Sequence, residues 1–147
     1  MRRISFEELA LNIAQECSKR SEDLYKKVGC CILDKEGRVL STGYNGLLPK
    51  INMDKGFWLD RDFRRKYIIH AEINALSRIR RDEEPYIIAT TLLPCSACAT
   101  NIASYGIKKV IYKEDYHNDK GCFDIFNFYK IDLIKLKWMI YYYHYTK

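Results

Sequence analysis

Two short runs of metal-ligand residues, each at the start of a predicted helix, constrain this sequence most. His70-Ala71-Glu72 opens a predicted helix over 71–81, and Pro94-Cys95-Ser96-Ala97-Cys98 leads into another over 98–105. The Cys-x-x-Cys spacing puts two thiols within one turn, where free N–H groups and the positive helix end stabilise thiolates. An imidazole and two thiolates make three zinc ligands, and a catalytic zinc keeps its fourth position for water. The two runs therefore predict one zinc site.

The ligands of this site would be His70, Cys95 and Cys98, with Glu72 as a catalytic proton shuttle beside the water. Other interpretations stay open at this point. The two cysteines could be a redox pair or half of a structural zinc site, and His70 and Glu72 could simply begin a helix. A fourth ligand would close the site and exclude catalysis; the candidates are His117, Cys122, Cys30 and Cys31.

The remaining patterns predict alternating helices and strands. Ser5 and Glu8 form a capping box ahead of the first helix. Helices are predicted over 6–20, 71–81, 98–105 and 123–129, and strands over 28–33, 38–44, 86–92, 110–112 and 131–136. Residues 45–66 lack periodicity and are interpreted as a long loop or lid. This order indicates an α/β sandwich of helices around a mixed sheet.

Composition excludes several other classes of protein. The 147 residues make about one domain, and no apolar run reaches the roughly 18 residues of a membrane span. The N-terminal segment turns acidic where a secretory signal would be apolar, so a soluble, cytoplasmic protein is expected. Six cysteines without a signal favour metal or catalytic use over a disulfide framework. The net charge of +6 suits anionic partners without identifying one.

His-x-Glu followed by Pro-Cys-x-x-Cys is the signature of zinc deaminases that act on nucleosides and nucleobases. Beyond it, the chain resembles the deoxycytidylate (dCMP) deaminase family over most of its length. The matching stretches are Lys27–Ile32, Ser41–Gly46, His70–Ala75, Thr91–Ala99 and Tyr105–Tyr112. The resemblance implies an α/β fold, a cytidine-deaminase-like α/β/α sandwich with a mixed five-stranded sheet. We expect a single domain over 1–147 with a lid-like insertion at about 47–66.

The resemblance also implies a reaction: zinc-dependent hydrolysis of dCMP to dUMP and ammonia, which supplies thymidylate synthesis. Glu72 would take a proton from water and deliver it to N3 of cytosine and then to the leaving ammonia. The Ala71 amide and Tyr116 would contact the base. Family members with a second zinc carry extra cysteines and histidines before the His-Ala-Glu run. Cysteine is absent between Cys31 and Cys95, so one zinc per subunit is expected.

The run Gly43-Tyr44-Asn45-Gly46 matches the family's nucleotide-binding element. By analogy, Asn45 would contact the sugar, and a nucleotide or allosteric role falls to Gly43, Tyr44 and Gly46. In the family the adjoining region helps to bind dCTP as activator and dTTP as inhibitor, so these are the candidate effectors. A homo-oligomer, often a hexamer, is likewise implied. Candidates for binding the substrate phosphate are Lys26, Lys27, Arg61, Arg64, Arg65 and Lys66.

Two alternatives to a free-nucleotide enzyme follow from other features. A polynucleotide deaminase acting on cytosine or adenine is compatible with the net charge of +6 and with the tyrosines of 141–145, which could stack on bases. The Gly-Tyr-Asn-Gly run argues against it, and we expect neither nucleic acid nor membrane as a partner. A non-catalytic, zinc-stabilised binding module is the alternative of another class.

Overall fold

The computed structural model describes residues 2–137 and contains five strands: β1 (Gly29–Leu33), β2 (Val39–Tyr44), β3 (Ile87–Leu92), β4 (Lys109–Glu114) and β5 (Asp132–Lys135). They form one sheet in the order β2-β1-β3-β4-β5. β1 is antiparallel to β2 and β3, whereas β3, β4 and β5 are parallel. The predicted mixed five-stranded sheet is therefore confirmed.

In the described part of the chain, six helices accompany these strands: α1 (Phe6–Ser18), α2 (Lys55–Leu59), α3 (Arg61–Arg64), α4 (Ala71–Leu76), α5 (Ser96–Ser104) and α6 (Cys122–Phe128). α1 begins with the predicted capping box, in which Ser5 and Glu8 exchange side-chain to backbone hydrogen bonds. Gly106 follows α5 at a φ of 77° and ends it as a C-cap. The capping box and the terminating glycine could be predicted from the sequence because each depends on residues only a few positions apart.

The sheet has a core on each face because successive side chains of a strand point to opposite sides. Cys31 and Leu33 pack with Ala14 and the rest of the buried face of α1. Cys30 and Ile32 face the other way, into the larger core under α4, α5 and α6. The helices therefore lie in two layers around the sheet, as predicted for an α/β/α sandwich.

Several predicted bounds differ from the structure: α1 ends at Ser18 rather than at residue 20, α5 begins at Ser96 rather than at 98, and β4 spans Lys109–Glu114 rather than 110–112. α4 ends at Leu76 rather than at residue 81, and beyond it the N–H groups of Arg78 and Ile79 donate to carbonyls three residues back. The segment 45–66, interpreted as a loop, contains α2 and α3. Each is N-capped by an aspartate, Asp54 and Asp60, which accept from backbone N–H groups three residues on.

The topology brings the starts of α4 and α5 to one edge of the sheet. After β3, the chain passes through Leu93 and Pro94 into α5. The N–H of Leu93 donates to the Glu114 carbonyl. An isolated bridge between Gly46 and Ile69 holds the entry to α4 beside the end of β2. Within residues 2–137, none of the helices has the length and apolarity that a membrane crossing requires. The tyrosine-rich segment 141–145 lies outside the described residues.

An ion pair ties α1 to β4 and should make stability depend on pH. Glu7 lies 2.9 Å from Lys109, and both side chains are about three-quarters buried. The hydrogen bond from Lys109 lowers the pKa of Glu7. Its stabilisation is therefore present above the pKa of an unfolded glutamate and is lost as the pH falls through the lower folded value.

We expect Glu7→Gln to lower the free energy of unfolding by about 0.5–1 kcal/mol at pH 7, with the difference shrinking towards pH 3. Urea denaturation of both proteins at the two pH values measures this. Glu16→Gln is the matched control, since Glu16 and its partner Lys19 are both mostly exposed. An equal Glu7→Gln effect at both pH values would contradict the assignment.

Candidate metal centre and adjoining pocket

The three predicted ligand residues meet at the starts of α4 and α5. His70 is the N-cap of α4, Cys95 is the N-cap of α5, and Cys98 lies in the first turn of α5. Nδ1 of His70 lies 3.6 Å from the Cys95 sulfur and 3.3 Å from the Cys98 sulfur. All three ligand atoms lie within 4.8 Å of one another.

These distances fit zinc. Tetrahedral zinc, with Zn–N near 2.0–2.1 Å and Zn–S near 2.3 Å, sets a ligand nitrogen and a ligand sulfur roughly 3.6 Å apart. Among residues 2–137, the group of His, Cys, Asp and Glu side chains that meets at this point consists of the same three residues. His117, Cys122, Cys30 and Cys31 are not members, so no described residue supplies a fourth ligand.

The two thiols have opposite electrostatic settings. The pKa of Cys95 is lowered to about 4, because its sulfur accepts hydrogen bonds from the Cys98 thiol, from His70 and from the Cys98 backbone. The pKa of Cys98 is raised by that same hydrogen bond to Cys95 and by burial. One sulfur is thus held as a thiolate beside a protonated partner. A divalent cation that binds both sulfurs would displace the proton of the Cys98 thiol.

Glu72 is buried next to this group, with 4% of its surface exposed. Burial raises the pKa of its carboxyl, against hydrogen bonds from Cys98 and Thr90. The Thr90 hydroxyl lies 3.1 Å from Oε1 of Glu72 and 3.0 Å from the Leu92 carbonyl. The hydroxyl can donate to an ionised Glu72, or donate to Leu92 while accepting from a protonated Glu72. Sequence reasoning missed Thr90, because nothing marks it within an ordinary strand.

A pocket of about 430 Å³ opens beside the metal group. His70, Glu72 and Cys95 lie at one part of its wall, and Tyr116 and His117 come from the loop after β4. Ala71 is the buried first residue of α4, and the early N–H groups of a helix have no partner within it. The predicted catalytic residue, metal ligands and base contacts are therefore close together.

Asn45 also lines this pocket, but its amide is engaged by the protein. Oδ1 accepts from the Val28 N–H at 2.8 Å, and Nδ2 donates to the Lys26 carbonyl at 2.9 Å. Nδ2 also lies 3.4 Å from Asp23. Oδ1 keeps a second lone pair, so its predicted contact with a sugar stays a prediction.

A second set of residues on the wall of this pocket is basic. Four of the six basic residues considered for phosphate binding line it, namely Lys26, Arg61, Arg64 and Arg65. Arg64 is 6% exposed and forms a buried ion pair with Asp23. Arg61 and Arg64 both pack against the Tyr25 ring, with guanidinium carbons 5.2 Å and 5.0 Å from its centroid.

The remaining residues of the Gly-Tyr-Asn-Gly run lie elsewhere. Tyr44 and Gly46 line a separate cavity of about 140 Å³, where Arg20 packs on the Tyr44 ring. Gly43 lies under α4, where an added Cβ would be 2.5 Å from the Ala71 carbonyl oxygen. The structure thus gives Gly43 a packing role, and its nucleotide role is not tested by it.

Comparison with known proteins agrees with this geometry. Residues 4–114 match the family model described as the cytidine and deoxycytidylate deaminase zinc-binding region. A probable deoxycytidylate deaminase of Drosophila melanogaster is 34% identical over 114 residues, which are 70% of this chain and 56% of that protein. The chain thus spans little more than half the length of this relative.

Two phage proteins match over more of their length. The deoxycytidylate deaminase of Enterobacteria phage T4 is 33% identical over an alignment 179 positions long, which covers 87% of this chain and 92% of that protein. The crystal structure of the dCMP deaminase of cyanophage S-TIM5, in complex with dCMP and dUMP, superimposes with a TM-score of 0.78. It is 24% identical and covers 92% of this chain and 100% of that chain, so it establishes the fold.

We expect the purified chain to bind one zinc ion, and His70→Ala and Cys98→Ala to retain little or none, because each removes one of three ligands. Elemental analysis of dialysed protein measures the stoichiometry, and circular dichroism checks that the variants fold. Cys17→Ser is the control, since this half-buried thiol lies outside the metal group. Full zinc content in Cys98→Ala would contradict the ligand assignment.

Proposed function

The chain belongs to the cytidine and deoxycytidylate deaminase family, and we propose that it hydrolyses dCMP to dUMP and ammonia. The observation that carries the proposal is the buried Glu72 beside the three predicted zinc ligands, in a pocket that basic side chains also line. A metal group and proton carrier suit attack of water on the base. The basic wall suits a phosphate at the other end of the same molecule. A pocket of about 430 Å³ is within the range of small-ligand sites.

His70, Cys95 and Cys98 would hold the zinc ion. When bound, zinc would supply an electrophilic centre that makes water nucleophilic near neutral pH. Because the described residues would offer three protein ligands, a bound zinc would remain open to water. This arrangement disfavours the non-catalytic zinc module, which needs a closed site.

Glu72 would move the protons of the reaction. It accepts one from the attacking water and delivers it to N3 of cytosine, and a further transfer lets the C4 amino group leave as ammonia. The C4–O bond forms first as water adds, and the C4–N bond then breaks to release ammonia, so water is the only co-reactant. Burial suits this task, because a carboxyl whose pKa is raised by burial holds a proton more readily than an exposed carboxyl does. Thr90 would orient the carboxylate.

Most of the proposed contacts to the nucleotide come from residues of the pocket wall, and Ala71, from outside it, lies between the lining residues His70 and Glu72. The Ala71 amide and Tyr116 would hold the base, and Asn45 would meet the sugar through the free lone pair of Oδ1. Arg61 and Arg65 would bind the 5′-phosphate, because both line the pocket while Arg64 is already neutralised by Asp23. Lys26 pairs with Glu114 and is less available.

Regulation and assembly are separate parts of the proposal. The surface around Tyr44 and Gly46, to which Arg20 and Lys50 contribute, would take dCTP or dTTP as effectors, with only part of the nucleotide inside the cavity of about 140 Å³. Subunits would associate as a homo-oligomer, with one zinc in each. A cytoplasmic location is proposed, because all six cysteines are free thiols and such thiols persist in reducing compartments.

A substrate panel tests the activity. Ammonia release is measured with dCMP, deoxycytidine, dCTP, cytidine and a cytosine-containing oligonucleotide, each with and without added dCTP or dTTP. We expect turnover of dCMP to exceed that of the others. Turnover of the oligonucleotide alone would support the polynucleotide alternative and overturn the proposal, as would a zinc-loaded protein inert on every substrate.

Glu72→Gln should lower kcat for dCMP by about 10²–10⁴-fold, because the amide cannot carry the proton. Zinc content and thermal stability should remain close to those of the unmodified protein, since the amide has nearly the same shape and Glu72 is not a ligand. Steady-state kinetics and elemental analysis are the measurements. Retained turnover would remove Glu72 from the mechanism.

Arg61→Gln and Arg65→Gln should each lower kcat/KM for dCMP by about 10–100-fold. One hydrogen bond to a charged group contributes about 1.5–3 kcal/mol. Deoxycytidine, which has no phosphate, should be turned over at an unchanged rate. Lys66→Gln is the control, because this exposed lysine is not among the residues of the pocket wall. Equal losses on both substrates would refute a phosphate-specific role.

A further inference from the structure

The loop between β4 and α6 makes a contact that the proposed reaction does not use. The carboxylate of Asp119 accepts two hydrogen bonds from Ser96, one from its N–H at 2.8 Å and one from its hydroxyl at 2.6 Å. It also accepts from the Gly121 N–H at 2.9 Å. A single carboxylate thus joins two segments that are 23 residues apart in the chain.

Ser96 occupies a sensitive position because it follows Cys95 directly and is the first residue of α5. The Cys95 sulfur accepts the N–H of Cys98 at 3.5 Å, so the backbone of this turn sets the direction of both thiols. The Ser96 N–H is among the first amides of a helix, which lack partners within it, and the positive helix end favours an anion there. The carboxylate of Asp119, from the loop between β4 and α6, therefore holds this turn through Ser96.

The close approach of the two segments depends on the absence of a side chain at Gly121. A Cβ there would lie 2.2 Å from the Ser96 hydroxyl oxygen. The same loop carries Tyr116, His117 and Asn118, which line the pocket beside the metal group. The contact therefore joins the turn that bears the thiols to the loop that forms part of the pocket wall.

We propose that Asp119 is a positioning residue for the metal centre: through Ser96 it holds the turn that presents Cys95 and Cys98, and so slows the loss of zinc. The proposal needs zinc at these ligands, but it does not depend on which nucleotide is the substrate. Outer partners that orient metal ligands typically change metal affinity by about 10–100-fold when removed.

Zinc release from the purified holoprotein to a chromophoric chelator is the first measurement. We expect Asp119→Ala to release zinc about 10–100-fold faster than the unmodified protein. Ser96→Ala should show a smaller increase, because it keeps the bond from its N–H and loses only the hydroxyl bond. This milder variant keeps the test informative if Asp119→Ala folds poorly.

The matched control separates positioning from a general loss of stability. Ser5 caps α1 through its own hydrogen bond to the Glu8 N–H, far along the chain from the metal group. Ser5→Ala also removes a helix cap, yet it should leave the rate of zinc release unchanged. Comparable zinc release from Asp119→Ala and Ser5→Ala at similar melting temperatures would overturn the proposal.

Cobalt substitution supplies a second readout that does not require activity. Co²⁺ bound by one imidazole and two thiolates has visible absorption that reports the ligand geometry. We expect the band positions or intensities to shift in Asp119→Ala and to stay constant in Ser5→Ala. An unchanged cobalt spectrum together with unchanged zinc release would show that Asp119 only caps α5. If the unmodified protein is inactive on dCMP but Asp119→Ala still releases zinc faster and shifts the cobalt spectrum, the result counts against the proposed reaction. It does not count against the positioning role of Asp119.

Discussion

The packing of α4 directly on the backbone of β2 is the contact on which the site depends. A Cβ at Gly43 would lie 2.5 Å from the Ala71 oxygen and 2.7 Å from the Ala75 nitrogen, so only glycine allows this approach. Two hydrogen bonds fasten the helix there, from Ser41 to the Ala75 carbonyl and from Asn74 to the Tyr44 carbonyl. Ala71 lies between the metal ligand candidate His70 and Glu72. The depth at which α4 sits therefore sets the direction of both side chains.

The buried ion pair between Asp23 and Arg64 lies on the wall of the pocket. Asp23 accepts the N–H groups of Tyr25 and Lys26 at 2.8 Å and 3.0 Å, and it pairs with Arg64 of α3. Burying two charges is costly unless their hydrogen bonds are made, and breaking such a pair leaves a charge unpaired. Asp23 thus ties α3 to the segment between α1 and β1. It also neutralises Arg64, whereas no ion pair is seen for its neighbours Arg61 and Arg65 within residues 2–137.

The same structure separates the cysteines by environment. Burial raises the pKa of Cys31 to about 12 and that of Cys122 to about 11, so both behave as packing residues that resist ionisation. Cys95, at a helix start beside an imidazole, is shifted the other way, to about 4. The pKa of Cys98 is raised as well, so position separates the metal group from the packing cysteines. Cys95 and Cys98 lie at the start of α5 beside His70, whereas Cys31 and Cys122 lie in the two cores.

The sequence by itself determined the features that depend on neighbouring residues. The capping box of α1, the alternation of helices and strands and the Cys95-x-x-Cys98 pair all follow from local spacing. The motif predicted His70 as the third ligand, but its approach to the two cysteines across 25 and 28 residues depends on how α4 and α5 pack. Tertiary structure alone decided the contacts between distant residues: Thr90 with Glu72, Asp23 with Arg64, and Asp119 with Ser96. It also decided the early end of α4. Local patterns report which groups a segment can offer, whereas pairing across 18 to 41 residues depends on how the sheet and helices pack.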